Sequence, residues 1–162
     1  SKNLGRCSPM KKRNKKGEKE MEKKELKEKY GEYANLRGAI MRNADFRYAN
    51  LSEEVNEILI SLTSICPEGT LIGWKKCKND VIVKLEIPAE AKRCNGTGRK
   101  CRAEYVKVLE VIGAEVGISK YDNKTEYRVG EIVRSDGWDD NRWEECSSGI
   151  HFFLTRKEAK EY

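Results

Sequence analysis

Ala34-Asn-Leu-Arg-Gly38, Ala39-Ile-Met-Arg-Asn43, Ala44-Asp-Phe-Arg-Tyr48 and Ala49-Asn-Leu-Ser-Glu53 follow one another with no insertion. Alanine opens each unit, and Leu36, Met41, Phe46 and Leu51 fill the third position. Repeats of this kind stack into coils, and every coil needs neighbours over its two open ends. Twenty residues give about one coil, with a rise close to one inter-strand spacing of ~4.8 Å. Such a unit cannot stand alone and must be capped.

The pattern, a small residue, then Asp or Asn, then Leu or Phe, then two variable positions, resembles the pentapeptide-repeat family. In that family the first and third positions point inward, where an alanine fits beside a larger side chain. Ile40 departs from Asp/Asn at the second position and weakens one corner turn. The resemblance implies one turn of a quadrilateral β-coil over 30–53. Long members of the family imitate duplex DNA; one coil carrying Arg37, Arg42 and Arg47 at an outward-facing position is too short and wrongly charged for that role.

Upstream, residues 1–29 form a basic flexible tail, with 12 Lys/Arg against 5 Glu. The chain as a whole carries +6, so the remaining residues sum to −1 and the basicity belongs to the tail. Residues 18–29 mix signs at helical spacing, which predicts a fraying helix held by i,i+4 pairs of ~0.3–0.5 kcal/mol each. The tail is expected to solubilise the chain and to make weak, non-specific contact with nucleic-acid phosphate. No apolar run approaches the ~20 residues that cross a bilayer, so no membrane partner is expected. The opening has no apolar export segment, which predicts a cytoplasmic protein (a host cytoplasm for a phage-encoded one) with reduced cysteines.

Downstream, residues 54–65 form the capping helix. Ser52 is its N-cap, Glu53 and Glu54 are its acidic first turn, and Val55, Ile58, Leu59 and Leu62 line one face. Cys66-Pro-Glu-Gly-Thr70 then marks a boundary, and residues 66–162 read as a mainly antiparallel α+β domain. Alternating apolar residues predict strands over 71–77, 81–87, 105–112, 126–133 and 150–154. Thr155 and Glu158 form a capping box for a last helix.

The loop 91–102 carries Lys92, Arg93, Arg99, Lys100 and Arg102, with Gly96, Thr97 and Gly98 among them and no acid. Glycines that admit close backbone approach, beside Arg forks and ammonium groups, are suited to an anion. Trp138 and Trp143 lie in the acidic segment 135–145 and offer rings on which a base could stack. His151, the only histidine, is the group best placed for ligand contact or proton exchange near neutral pH. The cysteine spacings lack a zinc knuckle. The residues expected to bind ligand are thus Lys92, Arg93, Thr97, Arg99, Lys100, Arg102, Trp138, Trp143 and His151, with no catalytic residue, cofactor or metal.

With GTLIGWKK, VIVKLEIPAEAKR, GRKCRAEYVKVLEV, YRVGEIV and ECSSGIHFFLTRKEA in this order, residues 66–162 resemble a domain of unknown function found in phages and bacteria, commonly behind pentapeptide repeats. The resemblance implies the repeat coil first and the α+β domain second, and brings no catalytic residues with it. The expected function is a non-enzymatic, phage-type binding module for an anionic small molecule or nucleotide, such as a host immune signal, in a homo-oligomer. A structural assembly protein with a nucleic-acid-binding tail is the alternative. VIVKLEIP and AEYVKVLEV also look like the core of ADP-ribosyltransferases; there Glu104 falls near the acidic position, and Lys75 stands where that family has Arg or His.

Overall fold

The computed structural model of the protein describes residues 20–21, 46–47 and 50–162. The coil expected over 30–53 therefore lies outside the described residues except at Phe46, Arg47 and from Asn50 on, and the basic tail except at Glu20 and Met21. Those two residues form a short strand, β1 (Glu20–Met21), paired in parallel with β2 (Asn50–Leu51). A helix had been expected there. Surface ion pairs of a few tenths of a kcal/mol are too weak to hold a helix against pairing with the end of the repeat run.

Helix α1 (Glu53–Thr63) follows at once. The Ser52 hydroxyl accepts from the Val55 amide at 3.4 Å, and Val55 and Leu59 are its buried apolar residues. The chain leaving the helix is fixed by Asn95: its side-chain amide donates to the Thr63 carbonyl at 2.7 Å, and its oxygen accepts from the Ile65 amide at 2.9 Å.

The body holds two main sheets. One runs β10 (Ile132–Arg134), β7 (Tyr105–Ile112), β4 (Ile82–Ile87) and β3 (Leu71–Lys76), antiparallel throughout. The other runs β11 (Ile150–Phe152), β6 (Cys101–Ala103) and β5 (Arg93–Asn95), again antiparallel. A two-stranded ribbon, β8 (Gly117–Ile118) and β9 (Glu126–Tyr127), and helix α2 (Arg156–Glu161) complete the described chain. The body is an α+β domain of mostly antiparallel strands.

Val83, Leu85 and Ile87 of β4 and Val106 and Val108 of the neighbouring β7 cluster with Cys101, Ala103 and Phe152 of the second sheet in the main core. Ile82, on the other face of β4, packs with Phe153 and Ala159 beneath α2. Gly73 lies where the sheets press closest, since a β-carbon there would stand 2.4 Å from the Phe152 ring. The expected pair caps α2 in a variant form: the Glu158 amide donates to the Thr155 hydroxyl at 3.2 Å, and the Glu158 carboxylate accepts from that hydroxyl at 2.8 Å rather than from the Thr155 amide.

Two further expectations change. The strand read over 126–133 is two strands, because Gly130 turns the chain at φ +87° and its amide donates to Val108. The basic segment 91–102 is itself a hairpin of β5 and β6, not an open loop, and it forms the middle and edge of the second sheet.

Candidate functional site

That hairpin places its five cations very differently. Arg93 turns its guanidinium onto the backbone, donating to the carbonyls of Ala91, Pro67, Gly69 and Pro88. Arg99 meets Glu158 with two bonds, at 2.9 and 3.1 Å. Lys100 is buried, its ammonium 3.3 Å from the Cys146 sulfur, and burial lowers its pKa. Arg102 is 1% exposed and donates to the carbonyls of Asp139, Ser148 and Asn141 at 3.0, 2.7 and 2.8 Å. Lys92 alone among the five is solvent-exposed, facing Asp140 at 3.8 Å.

The glycines also have an occupant. Glu145 reaches the turn between β5 and β6, where its carboxylate accepts from the Gly98 amide at 3.0 Å. A β-carbon on Gly96 would come within 2.5 Å of that carboxylate. The close approach that glycine permits is therefore made by an anion of the protein's own chain. Thr97 sits half-buried on the same turn.

Between α1 and the segment 138–143 lies a cleft of about 440 Å³. Asn56 and Ile60 form one wall, Lys92 and Cys94 another, and Trp138, Arg142 and Trp143 the rest. Trp143 stands at the back as a joint. Its indole N–H donates to the Asn56 side chain at 3.1 Å, and its ring meets Phe46 edge-on at 5.0 Å. Phe46, the third residue of its repeat unit, is 2% exposed. Arg142 lies on the Trp143 ring at 4.5 Å and donates to the Asn95 and Gly96 carbonyls, while its buried Nη1 has no acceptor among the described residues. Trp138 is half-buried, with the Arg102 guanidinium 4.9 Å from its ring centre. Burial pushes the Cys94 thiol up to about 11, so it is protonated near neutral pH.

His151 lies elsewhere, on a second cavity of about 340 Å³ with Lys75, Tyr127, Ser147 and Ser148. Burial lowers its pKa to about 4, and its Nε2 is 3.0 Å from the Ser147 carbonyl. The neutral ring must therefore donate through Nε2. Glu104 is not on this cavity; its carboxylate accepts from the Lys92 amide at 3.3 Å. Cys66, Cys77, Cys94 and Cys101 are free thiols, whereas Cys146, expected to be reduced, is disulfide-bonded.

Of the nine residues expected to bind ligand, Lys92, Arg93, Trp138 and Trp143 share the first cleft, and His151 joins the second. Arg99, Lys100, Arg102 and Thr97 line neither. Sequence reading missed Arg142 and Asn56. The signal for Arg142 was its place between the two tryptophans of the acidic segment; Asn56 carried none.

No curated protein and no solved structure matches the chain. A family model for pentapeptide repeats matches residues 32–53, the stretch that ends against α1. A second model matches residues 62–159, from the end of α1 to within α2, and so takes in both sheets, the whole lining of the second cavity and that of the first apart from Asn56 and Ile60. Behind its pentapeptide-repeat region, the chain belongs to the family of unknown function DUF5758.

Proposed function

We propose that the protein is a non-enzymatic binding module that takes an anionic, ring-bearing small molecule of the nucleotide class into the cleft between α1 and residues 138–143. One observation carries the reading: the cleft combines an exposed ammonium, a guanidinium nitrogen without an acceptor among the described residues, and indole rings. Lys92 and Arg142 are suited to phosphate, and the half-buried Trp138 to a stacked base. The Lys92–Asp140 contact is exposed and long, so a phosphate can take over Lys92 at little cost while Asp140 keeps its 2.8 Å bond from the Trp138 indole N–H. A volume of about 440 Å³ lies within the usual ~300–1,000 Å³ of small-molecule sites. Residues 34–53 act in this reading as one repeat coil that closes the helix side, with Phe46 packed inward on Trp143 in support. The coil's other open end is the expected contact between copies.

The test is equilibrium dialysis of the protein against AMP, cyclic AMP, cyclic GMP and NAD, with chromatography of the ligand recovered after denaturation. Binding with intact ligand is the expected result; a modified product overturns the non-enzymatic reading. Lys92→Ala combined with Trp138→Ala weakens retention at least tenfold, whereas Arg99→Ala, which removes only the bond to Glu158, leaves it unchanged. Equal retention by the double variant sinks the assignment to this cleft.

A further inference from the structure

The second cavity contains a cation that makes no contact ion pair among the described residues, its nearest acidic influence being Asp122 at longer range. Lys75 is the last residue but one of β3, and its side chain is half-buried. Its ammonium donates to the His151 carbonyl at 3.0 Å and stands 6.0 Å from the centre of the Tyr127 ring. Among the described residues no carboxylate comes within ion-pair distance of it. Two of its three N–H donors are therefore open. Two acids line the cavity, Asp122 and Asp136; Asp122 is engaged by the amides of Lys124 and Thr125 and by the Thr125 hydroxyl, and neither comes within ion-pair distance of Lys75.

Tyr127 supplies a second, independent observation. The residue is 2% exposed and lines the cavity, and its hydroxyl makes no hydrogen bond to a described residue, so it is open to whatever enters the cavity. The ring of His151 adds an acceptor, because donation through Nε2 to Ser147 leaves Nδ1 bare. A cation with open donors, a buried phenol without a partner and a bare imidazole nitrogen thus line one cavity of about 340 Å³.

We infer that this cavity is a binding site for a small oxyanion, a carboxylate or a phosphate, held by Lys75 and Tyr127. The anion supplies the contact ion pair that Lys75 lacks and the acceptor that the Tyr127 hydroxyl lacks. The hydroxyl of a hydrogen phosphate or of a hydroxy acid matches the bare nitrogen of His151. The site is separate from the α1 cleft and shares no lining residue with it, so the two stand or fall independently.

The experiment is reductive methylation of the full chain with formaldehyde and cyanoborohydride, with and without sodium phosphate or sodium acetate, read residue by residue by mass spectrometry. Phosphate or acetate protects Lys75 at least fivefold while leaving Lys92 unchanged; protection by one alone tells which oxyanion the site prefers. Tyr127→Phe keeps the buried ring and removes only the hydroxyl, and it weakens the protection several-fold. Equal labelling of Lys75 with and without both anions overturns the proposal, as does undiminished protection in Tyr127→Phe.

Discussion

Lys75 and the hairpin 92–102 differ in how much of their charge remains available. The hairpin carries five cations in eleven residues, yet Arg99 is held by Glu158, Arg93 and Arg102 are wrapped in backbone carbonyls, and Lys100 is buried against Cys146. Its glycines receive Glu145. Lys75 is one of two lysines that end β3; its neighbour Lys76 meets Asp80, whereas no carboxylate among the described residues comes within ion-pair distance of Lys75. The density of charge along a sequence thus says little about which charge a ligand can reach. An Arg fork satisfies many acceptors at once and is readily recruited to fasten loops, while a lysine can offer open donors to whatever enters.

The largest expected break in that contrast is Arg102→Leu. Arg102 fastens the segment 139–148, which contributes walls to both cavities. Removing the guanidinium leaves three carbonyls without their donor in a buried place. The expected loss is roughly 3–5 kcal/mol in urea unfolding, with faster proteolysis across 135–149. A loss under about 1 kcal/mol would show that the guanidinium is a spectator and free for ligand.

His151 gives the next effect, and it depends on pH. Burial lowers its folded pKa to about 4, against about 6.5 when unfolded. Between those values the unfolded chain binds more protons, so stability rises with pH there. The contribution is complete above pH 6.5 and is lost as pH falls through 4, in total roughly 3 kcal/mol. His151→Gln, able to keep the bond to Ser147, flattens this part of the profile in urea titrations at pH 4, 5 and 6.5. An unchanged slope would mean that the imidazole is not desolvated.

How much of this was legible beforehand depended on the range of the interaction. The Ser52 cap, the Thr155–Glu158 box and the β4 and β7 strands are local patterns, written within a few residues and formed where read. The splitting at Gly130 was legible in principle, since glycine is the residue that takes φ near +87° without strain. The partners of the basic hairpin were not legible. Glu145 lies some 47 residues from Gly98 and Glu158 some 59 from Arg99, and no local rule links such positions. Nor could spacing place Lys75 with Tyr127, which come from different sheets.

Gly96→Ala sharpens the comparison at smaller scale. The new β-carbon meets the Glu145 carboxylate, a flexible end that can swing away at the cost of its bond to the Gly98 amide. The expected loss is about 1–2 kcal/mol by urea unfolding. Glu145→Gln should lower stability less, because the neutral amide oxygen can still accept from Gly98. If Gly96→Ala were neutral and Glu145→Gln were not, the carboxylate's charge rather than its fit would be what the hairpin recognises.

Arg99→Ala should be the smallest effect and the clearest on the principle. The pair with Glu158 is bidentate but partly exposed, with side-chain exposures of 32% and 21%, so solvent screens it and removal costs about 0.5–1 kcal/mol. Glu158→Ala should cost more, since it also removes an arm of the capping box. The excess is a helix-capping effect of about 0.5–2 kcal/mol, which Thr155→Ala reproduces by itself. A double-mutant cycle between Arg99 and Glu158 isolates the ion pair. A coupling energy that fades in high salt identifies a surface pair fastening α2 to the hairpin; one that persists would mean that Arg99 is desolvated far beyond what its exposure allows.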